Sequence, residues 1–143
     1  MIKELLTVLR SKRLNFFGAY LEDLKSTYTN NPRMLVLYAI AMFAAAQGLA
    51  WLQINGQFVS EWCKSNSFLL SLLGIPISYL FIHATGLTFV ALDNRAWPGR
   101  LLTFAVGIVM FTILTWLLLG EPLTWKTVVS LLLTFIIIAL QIW

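Results

Sequence analysis

Charged residues are absent from four long stretches of the chain, Met34–Ile54, Ser67–Leu92, Leu101–Leu119 and Thr127–Trp143, which together make up 83 of its 143 positions. A helix rises about 1.5 Å per residue and the hydrocarbon core of a bilayer is about 30 Å thick, so about 20 apolar residues are needed to cross it. Each stretch is near that length. None shows the period of two that a barrel strand requires, and in hydrocarbon every backbone group must find its partner within the protein. The pattern predicts an all-α membrane protein with four transmembrane helices, at about 34–54, 67–92, 98–119 and 124–143. The last of these counts Trp125 and Lys126 as interfacial, because a lysine extends its ammonium to the headgroups.

Ahead of the spans the pattern changes. Ile2, Leu5, Leu6, Leu9, Phe16, Phe17, Tyr20 and Leu24 recur at spacings of three, four and seven, which gathers them on one side of a helix. Lys3, Arg10, Lys12 and Arg13 make this segment basic, Arg13 falling on the apolar stripe itself. Residues 1–33 are thus expected to form a basic amphipathic N-terminal surface helix, and residues 34–143 the four-helix transmembrane domain. On an anionic leaflet each of the four basic residues contributes about 1 kcal/mol. The same stripe suits docking on a partner subunit or on this protein's own loops, and the two readings stand side by side. Asn30, Asn31 and Pro32 end the helix and turn the chain into the first span.

Composition agrees with the pattern and excludes a cytosolic globular fold: 59% of residues are hydrophobic and 11% charged, with a mean hydropathy of +0.83. The ten Lys and Arg residues are unevenly placed. Eight precede the first span or fall between the second and third, whereas Lys64 and Lys126 stand on the other side. The positive-inside rule then puts both termini in the cytoplasm. Met1–Arg13 lacks the uninterrupted apolar run of a cleavable leader, so the first span is expected to act as its own signal. Trp51, Trp62, Trp97, Trp125 and Trp143 fall near span ends, as interfacial belts do.

Within the spans, small and polar residues mark the faces that meet, because lipid is as apolar as leucine and helices associate by close approach and hydrogen bonding. Ala44, Gln47, Gly48, Trp51 and Asn55 share one sector of the first span, which must face protein or water. Thr127, Ser130, Thr134 and Gln141 form a stripe on the fourth span, expected to be a helix-packing or dimer face. The second span carries Gly74 and Pro76 and then Tyr79 and His83, so a kink is expected there. An intramembrane histidine marks a functional site by default. With no carboxylate or second histidine in the spans, His83 reads as a hydrogen-bonded packing residue ahead of a proton carrier or ligand. Cys63 stands alone, and Glu61, Asp93 and Glu121 lie at or beyond the span ends. No catalytic constellation, metal site, cofactor or nucleic-acid track is expected.

Gly107-Ile-Val-Met-Phe-Thr-Ile-Leu-Thr-Trp116-Leu-Leu-Leu-Gly120-Glu121-Pro122-Leu123-Thr124, with the apolar run to Trp143, resembles the last two helices of the small multidrug resistance family, the four-helix branch of the drug/metabolite transporter superfamily. Ile77-Ser-Tyr-Leu-Phe is similar to that family's second helix, and Trp97-x-Gly99 to the start of its third. The resemblance implies an integral protein of a prokaryotic cytoplasmic membrane, exporting cationic compounds by proton exchange through one glutamate in the first helix. It also implies a dimer packed through the fourth helix. Aligned on the family's Ala-Glu-small pattern, Ala46-Gln47-Gly48 puts an amide where the titrating carboxylate belongs. Glutamine neither releases a proton nor neutralises a cation. The charge asymmetry further predicts one insertion orientation, hence a parallel homodimer, an oppositely inserted paralogue or another partner.

Two functions are consistent with these residues. In the first, the scaffold passes a small amphipathic or neutral solute without proton coupling, and Gln47, Trp51, Tyr79, His83 and Trp116 line its path. In the second, the chain is a non-transport structural or accessory subunit of a larger membrane complex, and its N-terminal helix grips that complex or the leaflet.

Overall fold

A computed structural model describes residues 2–28 and 30–142, with the side chains of residues 2, 3, 5, 6, 9, 10, 13, 14, 17, 21, 25, 141 and 142 outside the description. Every regular element among the described residues is helical: α1 (Ile2–Thr27), α2 (Pro32–Val59), α3 (Glu61–Ser65), α4 (Ser67–Ser71), α5 (Gly74–Ala91), α6 (Ala96–Leu114), a π-helical continuation Thr115–Leu119, and α7 (Trp125–Ile142). Among the described residues three units are long and apolar enough to cross a membrane: Pro32–Val59, with mean hydropathy 1.8, Ser67–Ala91, with 1.7, and Ala96–Leu119, with 2.3. The fourth expected span is a shorter apolar helix, Trp125–Leu140.

Local chemistry sets the boundaries. Pro32 at the start of α2 lacks an N–H that would have no helical acceptor, and the Asn31 side chain accepts from the Arg33 amide at 3.0 Å. The helix runs five residues past the expected Ile54. Asn55 and Gln57 donate to the carbonyls of Trp51 and Ile54 within the same helix, so these polar side chains are satisfied without ending it. Ser60 ends α2 in an extended conformation and caps α3 by accepting from the Trp62 amide.

The break between α4 and α5 follows from Pro76, which offers no N–H to the carbonyl of Leu72 four residues earlier. That carbonyl accepts from Ile75 instead, at 3.2 Å. At the same break the Ser71 carbonyl accepts from Gln53 Nε2 of α2, at 3.1 Å. Asp93 and Asn94, with φ of 54° and 57°, turn the chain from α5 into α6. Gly120 ends the π segment at φ +68°, a conformation that costs glycine little. Thr124 then caps α7, its hydroxyl accepting from the Thr127 amide.

α2 is the central helix, packed against α5 and α6, while α7 lies on α6. The core holds Leu35, Ala39 and Phe43 of α2, Ala84 and Leu87 of α5, Val106 of α6 and Leu24 of α1. Phe43 and Phe81 meet with ring centroids 6.0 Å apart. The C-terminal turns of α1 dock on this bundle: Leu24 is buried, and the Tyr20 hydroxyl covers Gly86 so closely that a Cβ there would collide with it. Phe16, expected on the same stripe, is 72% exposed.

One buried hydrogen bond joins α2 to the π segment, from Trp51 Nε1 to Thr115 Oγ1 at 2.9 Å. Bonds of this kind between membrane helices contribute about 0.6 to 2 kcal/mol. Thr115→Val is expected to lower stability by about 1 kcal/mol, measured by thermal unfolding in detergent. Trp51→Phe on that background should lose packing but no second hydrogen bond, and strictly additive effects would show that the two groups are not coupled.

Candidate functional site

The sector Ala44, Gln47, Gly48, Trp51 and Asn55 faces protein along α6. Small residues permit the approach: a Cβ on Gly48 would lie 3.6 Å from Met110, and one on Gly107 only 2.7 Å from Gln47 Nε2 and 3.0 Å from its Cδ. The glutamine therefore lies directly on the bare backbone of α6, half-buried. Its amide makes no side-chain hydrogen bond among the described residues.

Three cavities meet at Gln47. The largest, about 540 Å³, lies between α5 and the first turns of α6 and is walled by Phe81, Thr85, Ala96, Trp97, Gly99, Arg100 and Thr103. A second, about 310 Å³, runs along the outer side of α6 past Phe104, Gly107 and Phe111. The third, about 170 Å³, continues past Trp51 and Asn55. Together they form one lateral groove whose middle is the Gln47 amide on Gly107.

The electrostatics of the groove are one-sided. Arg100 is exposed at its wide end and forms no ion pair among the described residues. Among the described residues no carboxylate lines any of the three cavities. Arg95, the residue before α6, gives no side-chain cap, so the amides of Ala96 and Trp97 lack helical acceptors and Pro98 has no N–H to offer. The helix start brings a partial positive charge to the same cavity.

The sequence-predicted lining set divides. Gln47 and Trp51 share the groove, though the Trp51 indole N–H is committed to Thr115. Tyr79 is 63% exposed on the outer surface of α5, where it borders a separate concavity with Ser71, Gly74 and Ser78. His83 is half-buried beside it, ring centroids 4.4 Å apart, and its Nδ1 is buried with no partner among the described residues. Trp116 is 53% exposed on the π segment and lines none of these cavities. Within the α7 stripe, Thr134 is buried inside the chain and donates to the Ser130 carbonyl, Thr127 is half-buried and Ser130 exposed. Of the expected surface-binding residues Lys12 is exposed. The side chains of Lys3, Arg10, Arg13 and Gln141 lie outside the described residues.

Sequence reasoning did not name Arg100, Trp97, Thr85, Thr103 or Gly107 as site residues. A signal for the last two was present: Gly99, Thr103 and Gly107 repeat every four residues, the small-residue spacing of a close helix crossing. Among the described residues no three His, Cys, Asp or Glu side chains converge as metal ligands would. Comparison with protein-family models, with curated proteins and with solved structures finds no match.

Proposed function

We propose that this protein is a membrane carrier of the small multidrug resistance type that passes a small amphipathic or neutral solute along the α2/α6 groove without proton coupling. The observation that carries the reading is the uncharged Gln47 amide, free of hydrogen-bond partners among the described residues, at the junction of three cavities. A solute with a hydroxyl, amide or ester finds both a donor and an acceptor there, while aromatic walls suit its apolar part. With the amide of Gln47 in place of a carboxylate able to shuttle protons, this reading makes transport downhill or assisted by a partner. In this reading α7 is the fourth span, the termini are cytoplasmic, and the basic N-terminal helix rests on the inner leaflet. A second copy, or a partner membrane subunit, closes the open side of the groove.

The test is flux in proteoliposomes. Gln47→Ala is expected to reduce solute flux about tenfold while helix content and extraction behaviour stay as in the parent, since tenfold corresponds to about 1.4 kcal/mol, the upper end of what one hydrogen bond contributes. Stoichiometric co-purification with a larger complex and no flux from the parent protein would replace this reading with the accessory-subunit one.

A further inference from the structure

We infer that the wide end of the groove is a headgroup site for an anionic amphiphile, with the oxyanion held at Arg100 and the chain laid along α6 toward Gln47. The inference deepens the carrier reading and rests on the groove being a solute path. Its first ground is charge. Among the described residues, the cavity of about 540 Å³ has Arg100 as its only ionic wall residue, and Arg100 has no ion pair. A guanidinium presents paired N–H donors that fit the two oxygens of a phosphate or carboxylate. The uncapped start of α6 adds the amides of Ala96 and Trp97 beside it.

The second ground is position. Arg100 belongs to the second turn of α6, within one turn of Trp97, which is 76% exposed as an interfacial tryptophan would be. The head of a membrane amphiphile lies at that level. Gly107, and Gln47 upon it, stand seven residues further along α6, about 10 Å deeper. Between and beyond them the groove is bounded by Phe81, Phe104 and Phe111, with the Thr85 hydroxyl near the head and the Gln47 amide near the middle. The order anion, hydrogen-bonding group, apolar chain is that of an ester- or amide-linked anionic lipid. A free cation is excluded by the sign of the charge, and a free phosphate would leave the lower groove unfilled.

The assignment is tested on the full-length protein in a neutral detergent by native mass spectrometry, titrating dihexanoyl-phosphatidylglycerol, dihexanoyl-phosphatidylcholine and glycerol phosphate. The parent should bind the glycerol lipid at least tenfold more tightly than the choline lipid, and glycerol phosphate far more weakly than either. Arg100→Gln should reduce the preference to less than twofold. Arg95→Gln removes the same charge from the same connection without touching the cavity and should leave the preference intact. Arg100→Lys keeps the charge and loses the paired geometry, so an intermediate preference is expected, and this variant stands in if Arg100→Gln does not fold.

Equal loss in the Arg95 and Arg100 variants would reduce the effect to surface charge and overturn the site. So would a parent without preference, and so would glycerol phosphate binding as tightly as the lipid. A parent that moves solute but does not discriminate between the lipids removes the headgroup site and leaves the path. A parent with an Arg100-dependent preference and no flux removes the path and supports the site alone.

Discussion

Replacing Gly99 by valine is expected to destabilise the bundle by about 3 kcal/mol, at the upper end of what over-packing a close contact costs. Gly99 is buried where α6 crosses α5, and a Cβ there would lie 2.6 Å from Thr88 Oγ1 and 3.1 Å from Thr88 Cβ. The hydroxyl can rotate, although it would give up its bond to the Thr85 carbonyl at 2.9 Å. The Thr88 Cβ is fixed to the backbone, so the helices themselves must part. Alanine gains about 1 kcal/mol over glycine in helix propensity, which softens Gly99→Ala but does not remove the contact with Thr88 Cβ. Chemical unfolding in detergent should therefore rank parent above Gly99→Ala above Gly99→Val, and Thr88→Ala should restore part of the loss in Gly99→Ala. A Gly99→Val protein as stable as the parent would mean that α5 and α6 cross with room to spare, and the cavity beside them would lose its rigid wall.

How much of this was legible in the sequence depends on whether a feature is local. The start of α2 could be read because Asn31 and Pro32 act within one turn, and the kink near Pro76 because a missing N–H acts on the same helix. The end of α2 was misplaced by five residues for a related reason. Asn55 and Gln57 are polar, yet they bond back to their own helix and do not end it. Gln53 carried no sequence signal for its bond to the Ser71 carbonyl, which exists only because α2 passes the broken end of α4.

The candidate site divides along the same line. Gln47 stood out as an amide in an apolar span with small neighbours, and its partner Gly107 is a small residue at the right spacing. Tyr79 and His83 stood out equally, but residue order on α5 does not say which of its faces meets α2. Tyr79 is exposed and borders a different concavity, with His83 half-buried beside it. Arg100 was counted as a determinant of topology, since a charge tally records the side of the membrane and not the cavity into which a side chain opens. The π segment Thr115–Leu119 is tied to a tryptophan 64 residues away by the hydrogen bond at Thr115, which no local pattern encodes.

The second large effect is expected from Gln47→Glu, which is nearly isosteric and tests whether position 47 borders the groove. The new carboxyl would sit against Gly107, where the three cavities meet. Where it is protonated it hydrogen-bonds much as the amide does, so at the acid end of a pH titration amphiphile binding should match the parent. As pH rises the carboxylate forms, repels an anionic amphiphile and attracts a cationic one. The ratio of cationic to anionic probe bound should climb by about tenfold or more by about pH 9, which corresponds to a change of about 1.4 kcal/mol in their relative affinity. The parent, with no titrating group at position 47, sets the baseline for that ratio over the same range. A variant whose ratio follows the parent's throughout would place residue 47 away from the bound solute, and the groove would have no claim to be its path.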